Sequence, residues 1–334
     1  MKNLYIAKSP LQLFNCIEAR NRFSKYDENI LIAVYRNSTD RKLLHQLINE
    51  DDWNQVYLHS IKTRMNQHSL VMKLFIQHSR VNTLYIGDYT SSINFYINIT
   101  RPKKIVIVDD GVATLKIAAM IKSGSLHKIK KHLKSKMKLS VILVRAICHT
   151  SPKYLYKAQF FTMYNLKSLG LENRTITNDY RAFKKNITDL SHDETYFFIG
   201  TSMEDILISR TCYEKYFEIL ATHFNEKKWV YILHRKECAE YVGTVAKKFG
   251  IPIVRFNNII ESEFFIRKIT PTFVSSFCSS ALDTIKIIYS PDIEILQFDE
   301  SDLLPTKKEA LRNYYEYQAK QGTKVIRFNE YTKQ

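Results

Sequence analysis

The sequence predicts an α/β protein built from two Rossmann-like domains facing each other across a cleft. Three observations carry that expectation. Short β-branched and aromatic runs alternate with segments of helical length and period. The runs IVIV, YFFI and VYIL are continuously apolar, as strands covered on both faces are, rather than alternating as a half-exposed sheet would be. They also fall into two series, and 334 residues suffice for two such units.

The first series runs Asn3 to Ala7, Ile30 to Tyr35, Gln55 to Leu58, Thr83 to Gly87 and Lys104 to Asp110. The second runs Tyr196 to Gly200, Trp229 to His234, Ile251 to Phe256, Thr272 to Phe277 and Ile293 to Phe298, with amphipathic helices expected over 206–224 and 237–249. Between Leu169 and Asp193 the chain is polar and has no strand-like run, which places the boundary there. The domains read as 1–175, carrying a basic segment 116–157, and 190–302. The remainder, 303–334, is read as a helix (Lys307 to Gln321) and a late strand (Lys324 to Phe328) that pack back on the N-terminal half.

Composition narrows the function classes. With 45% apolar and 25% charged residues, 8 Gly and 7 Pro, the chain is neither disordered nor low-complexity. Fifty Lys and Arg against 33 Asp and Glu give +17, which points to a polyanionic neighbour. Cys16, Cys148, Cys212, Cys238 and Cys278 are scattered and show no zinc spacing, so they read as reduced thiols of a cytoplasmic protein, with no metal site. No apolar leader follows Met1, and the run from Val141 to Cys148, broken by Arg145, falls far short of the roughly 20 residues that cross a bilayer.

Between Gly111 and Gly170 there is no acid, but there are twelve Lys or Arg. Ile129, Leu133 and Met137 can share one helix side while Lys128, Lys131, Lys134 and Lys138 cover much of the rest. Such a helix suits an anionic inner leaflet, contacted through 122–145 by a peripheral protein; the competing reading is a solvated surface helix. No RNP, helix-turn-helix or zinc-finger pattern accompanies the charge, so nucleic acid is not the expected partner.

Ligands of parallel sheets bind beyond the carboxyl ends of the strands, and four polar clusters fall there. Asp109, Asp110 and Gly111 end KIVIVDDG, as working carboxylates or as a strand-end turn. Gly200, Thr201 and Ser202 lead into Glu204 and Asp205, which are either helix-opening dipole partners or a base for a hydroxyl nucleophile. His234 ends WVYILH beside Arg235, where an imidazole can donate to a phosphate. Ser279 and Ser280 open a helix, as caps or as a phosphate site. Glu261 in NNIIES can accept from ribose hydroxyls or cap a short helix.

The order of these clusters, with the opening YIAKSPLQLF, the segments VDDG, FIGTSMED, YILHRKE, NNIIES and SSFCSSALDT, resembles glycosyltransferase family 52, the bacterial lipooligosaccharide sialyltransferases, over nearly the whole length. The resemblance implies a GT-B-like, inverting, metal-independent enzyme that moves sialic acid from CMP-sialic acid to a terminal sugar, galactose foremost, of lipooligosaccharide or capsule. It needs no cofactor, and related enzymes make a homodimer an expectation; the alternatives are a transferase for another nucleotide sugar in the same fold and a non-catalytic basic scaffold that binds anionic lipid or nucleic acid. Residues 190–302 would then bind the CMP-sugar and 1–175 the acceptor. The implied catalytic groups are a base from Glu204 or Asp205, with Glu204 the first choice, and His234. The donor would be held by Gly200, Thr201, Ser202, Arg235, Glu261, Ser279 and Ser280, and the acceptor side would be lined by Ser9, Gln12, Asp109, Asp110 and Gly111. Arg235 stands where the family commonly has Pro.

Overall fold

The computed structural model describes residues 1–87, 92–111, 113–125, 152–187, 189–327 and 330. The chain forms two compact units, Met1–Phe183 and Lys184–Gln334. The basic amphipathic stretch predicted over 122–145 falls mostly on residues outside those described.

In the first unit, β1 (Lys2–Ala7), β2 (Glu28–Tyr35), β3 (Gln55–Ser60), β4 (Thr83–Ile86), β5 (Lys104–Val108), β6 (Gln159–Thr162) and β7 (Thr175–Thr177) form one parallel sheet. Its order is β3-β2-β1-β4-β5-β6-β7. Helices α1 (Pro10–Phe23), α2 (Ser38–Leu47), α3 (Arg64–Gln77), α4 (Ser92–Thr100) and α5 (Ala113–Lys122) connect the strands. The apolar runs become strands because both sheet faces are covered: Leu4 through Ala7 and Ile30 through Val34 are all buried. On one face Tyr5 stacks on Tyr85 at 4.3 Å and meets Trp53 edge-on at 5.1 Å. The one-turn helix α6 (Arg181–Lys184) is tied to this unit by Glu18, whose carboxylate accepts from Ala182 N–H at 3.2 Å and Phe183 N–H at 2.6 Å.

The second unit repeats the scheme. Strands β8 (Ser191–Ile199), β9 (Trp229–Ile232), β10 (Ile253–Val254), β11 (Ile269–Ser276), β12 (Asp292–Leu296) and β13 (Lys324–Ile326) pair in parallel in the order β10-β9-β8-β11-β12-β13. Helices α7 (Arg210–His223), α8 (Ala239–Lys248), α9 (Ile260–Ile266), α10 (Ala281–Tyr289) and α11 (Pro305–Lys320) accompany them. Its core is aromatic: Phe277 stacks on Phe298 at 4.3 Å and meets Phe198 and Tyr216 edge-on.

Three expectations are corrected. The described part of the tail, 303–327, is not a separate piece but completes the second unit: β13 pairs with β12, and the Tyr315 hydroxyl of α11 accepts Phe298 N–H at 3.2 Å. Strands β6 and β7 were not foreseen, and β7 lies in the stretch read as strandless; three residues, TIT, are too few to show a period. The helix expected from 206 begins at Arg210, because Ser209 caps it by accepting Cys212 N–H while Leu207 bridges to Leu303.

Asp109 settles one ambiguity. It is fully buried, accepts from the Thr162 hydroxyl at 2.5 Å and Met163 N–H at 2.7 Å, and its carbonyl accepts from Asn15 at 3.2 Å. The side chain therefore joins β5 to β6 and the loop after it and is turned inward, where a strand-end structural role is the one its contacts support. Burial pushes it up to about 7. A folded-state value above the unfolded one means that this group's contribution to stability is complete below about pH 4 and is lost as pH rises toward 7. The loss should be on the order of a few kcal/mol, and thermal unfolding followed across that range should show a slope that Asp109→Asn flattens.

Candidate active site

In a sheet of order 3-2-1-4-5-6 the connections leave in opposite directions from the first and fourth strands, and the crevice opens between their carboxyl ends. In the second unit those strands are β8 and β11. Ser276 ties them by donating to Ile199 O at 2.8 Å. Just beyond, the Thr201 hydroxyl and Cys278 thiol meet at 3.4 Å, so the loops carrying Gly200–Ser202 and Cys278–Ser280 converge. Ser279 Oγ turns back to accept Ala281 N–H at 3.3 Å, whereas Ser280 is exposed at the α10 N-cap and its hydroxyl makes no capping bond.

His234 lies one strand over, two residues past β9. Burial, then the charges of Arg235 and Lys236, hold its pKa below the usual histidine range, so the ring is neutral at neutral pH. Its Nδ1 accepts Lys236 N–H at 3.3 Å, which assigns the ring proton to Nε2 and leaves that N–H as a donor. The two candidate bases part company. Both sit in a 3-10 turn, Met203–Asp205, five residues ahead of α7 rather than in its first turn. Asp205 accepts from Ser202 Oγ at 2.8 Å, which holds it below the usual carboxylate range, and it lies 3.7 Å from Lys236 and within electrostatic reach of His234. Glu204 turns to Arg210 at 3.6 Å.

Glu261 is buried on α9 and pushed up to about 7; its carboxyl is held by its own N–H and feels the charge of Arg235. In the first unit, Ser9 and Asp110 come together at the carboxyl ends of β1 and β5, with Ser9 Oγ donating to Asp110 at 3.4 Å. Gln12 is structural: it accepts Lys8 N–H at 2.9 Å, and its side chain fills the space where Gly87 lacks a Cβ. Gly111 has φ +60° and makes the turn into α5.

Three residues at this edge escaped the sequence reading. Glu237 is buried, and its Oε1 accepts from Tyr213 at 2.9 Å and Tyr231 at 2.8 Å while Oε2 accepts His234 N–H at 2.7 Å. It fixes the main chain of His234 from beneath. Tyr314 of α11 clasps Ser279, its hydroxyl accepting the N–H and donating to the carbonyl, each at 3.2 Å. Lys307, two turns earlier on the same helix face, is near enough to Asp205 and Cys278 for its charge to favour both anions. The α11 start is pinned by Leu304 N–H donating to Ile206 O at 2.9 Å. Among the described residues no three His, Cys, Asp or Glu side chains gather as metal ligands would. No described helix is long and apolar enough to cross a membrane.

No protein-family model and no curated protein matches the chain. Among solved structures it is similar to S. aureus MnaA with UDP, at 12% identity over 96% of this chain and 88% of that one, with a TM-score of 0.53. It is also similar to a point variant of Os79 from O. sativa with UDP, at 10% identity over 95% and 84%, with a TM-score of 0.50. These likenesses show the fold: a GT-B-like chain of two parallel-sheet α/β units.

Proposed function

We propose that this protein is a nucleotide-sugar glycosyltransferase, and specifically an inverting, metal-independent sialyltransferase. It would move sialic acid from CMP-sialic acid to a terminal sugar, galactose foremost, of a bacterial lipooligosaccharide or capsule. The observation that carries the reading is the gathering at one sheet edge of a neutral imidazole with a free Nε2–H, the Thr201 and Ser279 hydroxyls and an ionised Asp205. That set matches the reaction. The acceptor oxygen attacks the anomeric carbon, the bond from that carbon to the phosphate oxygen breaks, the acceptor proton passes to a carboxylate, and CMP leaves. His234 Nε2–H, Arg235 and Lys307 offset the charge developing on the departing phosphate, and Thr201 and Ser279 donate to it. Asp205 takes the proton, with Glu204 its rival, and Glu261 accepts from the ribose. Ser9 and Asp110 serve the acceptor. A second reading, transfer from a UDP-sugar by the same residues, is favoured by the UDP in both similar structures.

Purified protein incubated with CMP-sialic acid, a galactose-terminated acceptor and EDTA should yield sialoside and CMP. Absence of both products would end the sialyl reading, and transfer from a UDP-sugar in parallel would install the second. Lys307→Gln should weaken CMP binding by about tenfold and leave cytidine binding unchanged, since only CMP carries the phosphate; equal losses for both ligands would remove Lys307 from that role. Because Glu261 titrates near 7, its carboxylate form, the better ribose acceptor, grows in as pH rises from about 6 to 8. Cytidine affinity by calorimetry should climb through that window, since cytidine carries the ribose without a phosphate that itself ionises at about pH 6, and Glu261→Gln should abolish the step near pH 7.

A further inference from the structure

Helix α3 is apolar on two opposite sides. Leu70 and Leu74 are buried, one turn apart, against the first unit. About half a turn around the axis, Met65, Met72 and Ile76 are spaced seven and four residues apart and so form a single stripe. These three are exposed by 82%, 50% and 70%. A soluble surface helix needs only the inner stripe. The outer one leaves three large, flexible apolar side chains in water in one line.

The charge around it is mostly positive. From Trp53 through Gly87 there is no Asp or Glu, while Lys62, Lys73 and Arg80 lie in or beside α3. Lys73 sits over the Tyr57 ring at 3.6 Å, and Lys2 donates to Gln77 O at 3.1 Å at the helix end, where it also meets Glu28 at 3.9 Å. An apolar stripe in a cationic, acid-poor field fits a surface that is apolar just beneath an anionic layer. We infer that the outer face of α3 docks on an anionic lipid bilayer, with Met65, Met72 and Ile76 entering the headgroup boundary and the neighbouring cations facing the lipid phosphates. The stripe shares no residue with 122–145, and the inference stands apart from the donor sugar the protein uses.

The test is co-sedimentation of the full chain with vesicles of phosphatidylcholine alone and of phosphatidylcholine with phosphatidylglycerol in equal parts. Wild type should sediment with the mixed vesicles, less so as salt is raised, and not with neutral ones. Met65→Ser, Met72→Ser and Ile76→Ser together should weaken binding by about tenfold or more without moving the thermal midpoint, because these side chains are exposed. Ile266→Ser, at a 53% exposed position of the second unit, should bind like wild type. Unchanged binding by the triple variant, equal binding of wild type to neutral vesicles, or no sedimentation at all would overturn the inference. So would a dimer in solution that the triple variant splits, since the stripe would then be covered by a second copy.

Discussion

His234→Ala is expected to lower turnover by about 10² to 10³, the usual cost of removing one donor aimed at developing charge. The loss should fall on kcat more than on KM, because the Nε2–H counts most when the phosphate departs. Folding should be spared. The ring's bond is to Lys236 N–H, whereas the main chain of His234 is held by Glu237 through the backbone. Release of CMP measured continuously, beside a thermal melt, separates the two effects. Turnover near wild type would strip the imidazole of its role, whichever nucleotide sugar is used.

Gly200→Ala should have the largest effect on stability. A Cβ there would stand 2.7 Å from Glu237 Oε2, 2.7 Å from the Tyr231 hydroxyl and 2.8 Å from Ile232 O. None of these can step aside cheaply. The carboxylate is pinned by three donors, and the carbonyl already accepts Gly200 N–H at 2.8 Å. Overpacking that also breaks a buried hydrogen-bond network should cost about 3 kcal/mol or more, a drop of roughly 6 to 12 °C for a domain of this size. A melting curve within about a degree of wild type would mean that the β8 exit is far more compliant than its contacts imply.

Much of the fold could be read from the strands, because runs buried on both faces leave an unbroken apolar signature whatever surrounds them. The ends of those runs mark Thr201, His234 and Ser279 as edge residues from the sequence alone. The partners of those residues were hidden for a physical reason. Glu237 sits in the string HRKE, which reads as solvated, and its burial depends on Tyr213 and Tyr231, one of them 24 positions away. Lys307 and Tyr314 lie on a helix whose docking is decided by Leu303 and Leu304 meeting 206–207, a pairing nearly a hundred residues apart that no local period encodes. The same limit explains the tail: nothing in KVI says that β12 is its neighbour. Asp109 and Asp110 are alike in sequence, and it is distant partners such as Thr162 and Met163 that hold the inward one.

The double grip of α11, on Ile206 at its start and on Ser279 further along, links helix docking to the order of both loops. The Ser279 amide proton is shielded by the Tyr314 hydroxyl, so its exchange with deuterated solvent clocks how often the helix lifts off. A nucleotide that settles on these loops would slow that clock, which makes one amide a gauge of occupancy that requires no turnover.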